Sequence, residues 1–210
     1  MKTIRIFILI ALCATAPAFA HDVPTPDAPK TASAFNLRRD MRKLWTDHVV
    51  WTRNVILCIT DDLPGTDQAV KRLLQNQDDI GNAIKPVYGD AAGKKLTELL
   101  YAHITIAADL LKAAKTGDNA AFTKANDKWT ANADEISTFL SKANPHWPLH
   151  DMKMMMHDHL KLTTDEAVAR LKKDYTADVA AYDKVSAEIM SMSDMLSSGI
   201  VEQFPQLFSK

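Results

Sequence analysis

Three histidines recur at almost constant spacing: His48 in LWTDHVVWTRN, His103 in LLYAHITIAAD and His159 in MHDHLKLTTD, 55 and 56 residues apart. Acids recur between them, Asp79 in NQDDIGNAI, Glu135 in NADEISTFL and Asp194 in SMSDMLSSGI, at spacings of 56 and 59, and Pro86, Pro145 and Pro205 follow in turn. Neutral imidazole donates a lone pair to metals and titrates near neutral pH, and a carboxylate beside it fixes its tautomer. Repeated His/acid pairs therefore suit metal ligation or acid–base work. Seven of the nine methionines lie in the last third, Met152, Met154, Met155, Met156, Met190, Met192 and Met195, with His157 beside the first group. Thioether with imidazole suits copper(I), whereas methionine at Leu-like spacing fills a core.

Other chemistries lack their residues. There is no Cys-x-x-Cys-His for covalent haem, no Glu-x-x-His pair for a di-iron bundle, no Gly-rich phosphate loop, no Gly-x-Ser-x-Gly elbow and no His-Glu-x-x-His. No catalytic residue is assigned. The chain is read first as a binding protein, with an enzyme that uses the same polar cluster for acid–base work ranked last.

The elements that must position the histidines are helices. Apolar residues recur at three- and four-residue spacing after Phe35, which predicts helices near 34–61, 66–85, 91–115, 119–142, 149–173 and 177–203. Thr66, Asp90, Asp118 and Thr176 are the expected caps. Each histidine falls on an odd-numbered helix and each acid on the helix after it, so the pattern predicts an all-α, six-helix bundle built from three repeated helical hairpins. In the third helix His103 shares one stripe with Leu96, Leu99, Leu100, Ala107, Leu110 and Leu111, which turns it inward; the same count turns His48 and His159 inward. A buried ring needs partners for its nitrogens, because an unpaired polar group in a core costs about 1–3 kcal/mol. Asp79, Glu135 and Asp194 are the expected acceptors, helped by Asn76 and Asn132 one turn earlier. Two readings stay open: each pair is a structural contact that fixes helix register, or the pairs converge on a cavity that holds a transition metal (copper, zinc or iron) or a small polar ligand.

At the N-terminus Lys2 and Arg5 precede an apolar run from Ile6 to Ala14, and Ala18-Phe19-Ala20 offers a cleavage site, so residues 1–20 read as a secretory signal and the protein as periplasmic or secreted. Residues 21–34 read as a flexible Pro-rich tail, and 35–210 as one helical domain. Cleavage before His21 leaves 23 Lys and Arg against 26 Asp and Glu, which gives no basic excess for nucleic acid, and no later stretch is long and apolar enough to span a membrane. Cys58, in the apolar run VILCIT, reads as a buried inert thiol. Gly81 and Gly199 interrupt helices and mark close packing or room for a ligand.

Together LRRDMRKLWTDHVVWTRN, RLLQNQDDIGNAIKP, LTELLYAHITIAADLLKAAK, KWTANADEISTFLSKANP, HLKLTTDEAVARL and DMLSSGIVEQFP resemble an uncharacterised family of secreted, all-helical bacterial proteins over nearly all of residues 37–207. The best-matching positions are His48, Arg53, Asn54, Asn76, Asp79, His103, Asp109, Asn132, Glu135, His159 and Asp194. The resemblance implies export and a helical fold but carries no activity. Some members bear a glycosyltransferase label, for which this chain has neither a nucleotide-sugar-binding α/β pattern nor a DxD.

Overall fold

Helices form where the apolar spacing places them, and the departures have local causes. The computed structural model describes residues 26–210, so the expected signal segment and His21 lie outside the described residues. The helices are α1 (Ala32–Thr60), α2 (Thr66–Tyr88), α3 (Asp90–Thr116), α4 (Asn119–Ala143), α5 (Leu149–Leu171) and α6 (Tyr175–Gln203), followed by a short 3-10 turn, Pro205–Phe208. Among the described residues there is no strand, and no helix is long and apolar enough to cross a membrane. α2 runs two residues past Pro86, which gives up its bond to the carbonyl one turn earlier and so loosens only the last turn. Gly89, at φ 85°, then joins α2 to α3 alone and takes the cap position expected of Asp90. Thr31, Asp118 and Asp174 each accept a backbone N–H from the first turn of α1, α4 and α6, so Asp174 rather than Thr176 caps the last helix. Gly65, not Thr66, precedes α2, and the Thr66 hydroxyl donates back to Leu63 O at 2.8 Å.

Each helix packs on the one before it, and α6 returns to pack on α1, closing a ring. The odd-numbered helices α1, α3 and α5 also touch one another in every combination, whereas no even-numbered pair packs comparably. The odd helices therefore form an inner trio and the even ones an outer trio bridging the gaps. Leu73, Ile80, Ile136, Met152, Ile189 and Ile200 are wholly buried between the layers. Burial of each such side chain is worth about 1.5–3 kcal/mol.

Two glycines resolve as close approaches. A Cβ on Gly81 of α2 would strike Thr97 and come 2.7 Å from Gly93 O on α3, so the two backbones meet here. A Cβ on Gly199 of α6 would strike the Trp147 ring. Trp147 lies in the α4–α5 connection, buried beneath Tyr88, whose hydroxyl donates to Gln203 Oε1 at 2.8 Å and accepts from Asn144 Nδ2 at 2.9 Å. That polar knot closes one end of the bundle. Cys58 is free and half-buried rather than buried, on the flank of the smaller apolar cluster.

Candidate functional site

Because α1, α3 and α5 form the inner trio, their middle turns bring His48, His103 and His159 to one level. The rings of His48 and His159 are 5.8 Å apart between centroids, at an interplanar angle of 41°, and those of His103 and His159 are 6.2 Å apart at 30°. All three residues are buried. Trp45 meets the His48 ring edge-on at 5.6 Å, and Trp129 lies 5.2 Å from the His103 ring.

The partners of the rings differ from the expected acids. His103 Nδ1–H donates to Asn132 Oδ1 at 2.9 Å, and His159 Nδ1–H donates to Glu188 Oε2 at 3.0 Å. Gln77 Nε2–H faces His48 Nδ1 at 3.4 Å. In all three cases the partner lies 29 residues after its histidine. The shared separation is a stronger regularity than the acid spacing.

Asp79, Glu135 and Asp194 make none of these contacts. Asp79 is half-buried and Glu135 is exposed, both on the outer side of their helices. Asp194 is buried but binds the Arg42 guanidinium through both oxygens, with Arg38 at 3.9 Å. In α2 and α4 the inward position carries a neutral amide, which avoids desolvating an ion, whereas the carboxylate in α6, Glu188, is only partly buried. Such an amide also serves two groups at once. Asn132 Nδ2 donates to Leu99 O at 3.1 Å while its Oδ1 accepts from His103, whereas in the first hairpin Asn76 donates to Leu44 O at 3.0 Å and Gln77 reaches the ring.

With Nδ1 engaged in each ring, Nε2 is the nitrogen left for the interior. Burial and its two neighbouring imidazoles hold the His48 pKa well below the ordinary value, against a small upward pull from Gln77. Burial and His159 lower His103 to about 3, although Asn132 opposes them. These rings are neutral at physiological pH. As Gln77 is turned, His48 accepts at Nδ1 and so carries its proton on Nε2, while Gln77 Oε1 is buried without a partner. Rotating that amide would hand the ring proton to Oε1 and free Nε2, at the expense of the 2.7 Å bond from Gln77 Nε2 to Leu73 O.

The histidine layer divides the interior in two. Towards the Trp147 end lies a cavity of about 30 Å³ lined by the three histidines, Trp45, Trp147, Met41, Met156, Met192 and aliphatic side chains. Beyond the layer a cavity of about 50 Å³ is lined by Thr52, Thr163, Trp129 and aliphatic groups, and both threonine hydroxyls are buried without a partner. No carboxylate lines either space. The first exceeds the roughly 10–15 Å³ that one water needs, so a ligand there is limited to one or two water-sized groups.

The other candidates scatter. Arg53 enters an ion network: its Nη1 donates to Glu166 Oε1 at 2.6 Å and Asp178 Oδ1 at 2.8 Å, and its guanidinium lies 4.7 Å over the Tyr182 ring. Arg170 binds Asp178 at 3.4 Å and also Asp61. Burial pushes Glu166 up to about 7, although Arg53 pulls it down. Glu166 and Asp178 were missed by the sequence reading, although Glu166 sits two turns after His159 on the same stripe, and an acid on an apolar stripe is the available signal. Asn54 donates to Val50 O within its own helix at 2.8 Å, and Asp109 is exposed. His157 is exposed and faces Asp134 at 3.0 Å, outside the centre. Met155 and Met156 are buried, but only Met156 reaches the histidine cavity. His146 pairs with Glu202 at 3.0 Å and His150 is exposed. Trp51 packs under the Arg72 guanidinium rather than at a cavity.

Among the described residues no group of three or more His, Cys, Asp or Glu side chains is drawn together tightly enough to hold a metal ion as placed. A metal about 2 Å from each of three ring nitrogens would set the centroids about 5–5.5 Å apart; the His48–His159 and His103–His159 separations each exceed that by less than about 1 Å. Comparison with protein-family models, curated proteins and solved structures finds no match.

Proposed function

We propose that the chain is an exported helical binding protein that holds one transition-metal ion between His48, His103 and His159. The observation that carries this reading is the meeting of three buried imidazoles around a space for one or two water-sized groups. An organic molecule of more than a few atoms has no room there, which favours the metal. Glu188 and Asn132 supply what metal-bound histidines require, an acceptor for the second ring nitrogen that fixes orientation and raises basicity. Closer approach of the three rings and rotation of the Gln77 amide would complete three donors. Export rests on Lys2, Arg5, the apolar run after them and Ala18-Phe19-Ala20. Descent from three copies of one helical hairpin is supported by the constant 29-residue step from ring to partner and by the alternation of inner and outer helices.

A second reading has an observation of its own. With Gln77 as oriented, two ring acceptors and one ring donor face inward, the set that a single buried water satisfies, and the layer would then serve only to fix packing. Elemental analysis of the mature protein purified from the cell envelope separates the two. About one equivalent of copper, zinc or iron, lost in a His103→Ala/His159→Ala variant, is the outcome expected of the metal centre. A metal-free product whose melting temperature is unmoved by any of the three ions overturns it and leaves the packing role.

A further inference from the structure

We infer that the ion is monovalent copper, Cu(I), in preference to zinc(II) or another divalent metal; this rests on the three-imidazole reading above. Three thioethers share the histidine cavity: Met41 from α1, Met156 from α5 and Met192 from α6. Sulfur and neutral nitrogen donors without any carboxylate select soft, low-charge ions, whereas divalent zinc and iron draw stability from anionic ligands. Charge decides more strongly still. The cost of taking an ion from water into an apolar interior scales with the square of its charge, so a divalent ion pays about four times as much as a monovalent one of equal radius. Only one carboxylate touches the ring layer, Glu188 on His159. Its single negative charge balances Cu(I) and leaves a divalent ion one charge short.

The donor set fits that preference. A d10 monovalent ion is satisfied by two or three nitrogen donors, with a thioether as an additional soft ligand. Met155, Met190 and Met195 do not line this space. The methionine enrichment of the last third therefore contributes two of its members, Met156 and Met192, and the third comes from α1.

The test is an anaerobic competition titration of the full mature protein against a colorimetric Cu(I) chelator in ascorbate, and separately against a zinc chelator. One equivalent of Cu(I), held tighter than Zn(II), is expected. Replacing Met41, Met156 and Met192 together by Leu preserves apolar volume and should weaken Cu(I) by roughly tenfold or more while leaving the helical circular dichroism unchanged. X-ray absorption of the Cu(I) form should show nitrogen scatterers with a sulfur contribution that the triple variant loses. Zn(II) binding as tight as Cu(I), or Cu(I) affinity untouched by the three replacements, overturns the preference for Cu(I) and leaves the three-imidazole centre standing. Failure of both ions to bind overturns that centre as well.

Discussion

At the scale of single residues, the neutral state of the histidine layer is the controlling property. His48 and His103 have folded pKa values below the ordinary histidine value, so the unfolded chain binds protons that the folded chain refuses. Stability from these two groups is fully present above about pH 6.5 and is lost as pH falls below it, for His103 towards about 3. Glu166, raised to about 7, works the other way between about pH 4.5 and 7, because there the folded state holds the extra proton. Two histidines against one carboxyl leave a net loss of stability as pH falls below about 6.5, and urea titrations across that range should show it. A flat profile would mean the rings are solvated. The same depression makes protons weak competitors for the His48 and His103 nitrogens, so metal held by them should be released at lower pH than from an exposed histidine site; metal content after dialysis near pH 5 checks this. Glu188→Gln keeps an acceptor for His159 but removes the charge. It should move stability by less than about 1 kcal/mol while lowering metal affinity about 10–100-fold, read by chelator competition.

At the scale of helices, two devices tie the layers together. The first is the glycine pair at the α2–α3 crossing: Gly81→Ala places a methyl against Thr97 and Gly93 O, and should destabilise the fold by about 1–3 kcal/mol in thermal or urea unfolding. The second is Arg53, which joins α1 to Glu166 of α5 and Asp178 of α6, both buried. Arg53→Met leaves two carboxyls without their common partner, a loss of about 3–5 kcal/mol that should appear as a lower urea midpoint with little change in m-value. Arg53→Lys should recover only part of it, since an ammonium lacks the planar fork that serves both acids. Helix number and approximate limits were readable from apolar periodicity, as was the inward direction of the three histidines. The ring partners were not. A sequence displays charges more loudly than amides, so Asp79, Glu135 and Asp194 drew the assignment two, three and six residues past the actual partners Gln77, Asn132 and Glu188. Gln77 and Asn132 gave no such signal, because an amide on an apolar stripe reads as a tolerated polar residue until its partner is known.

At the scale of the whole molecule, alternation of inner and outer helices explains why chemistry gathers on one half of the chain. The odd helices face the axis and carry the imidazoles; the even ones brace them from outside through side-chain amides and one carboxylate. Convergence of the three rings was beyond sequence reasoning, since a hairpin repeat is compatible with a row of separate units as well as with a closed ring. What closes the ring is the packing of α6 on α1, and the chain ends reinforce it: Thr31 Oγ1 donates to Phe208 O at 2.8 Å and Ser33 N to Lys210 O at 2.9 Å. First and last helices are thus neighbours joined by everything except a peptide bond. A covalent link across that seam, with the chain reopened at the Gly117 bend between α3 and α4, would preserve the cyclic order of the helices while changing which one is synthesised first. In such a circular permutant the histidine layer should assemble unaltered, because its geometry belongs to the closed circuit and not to its starting point.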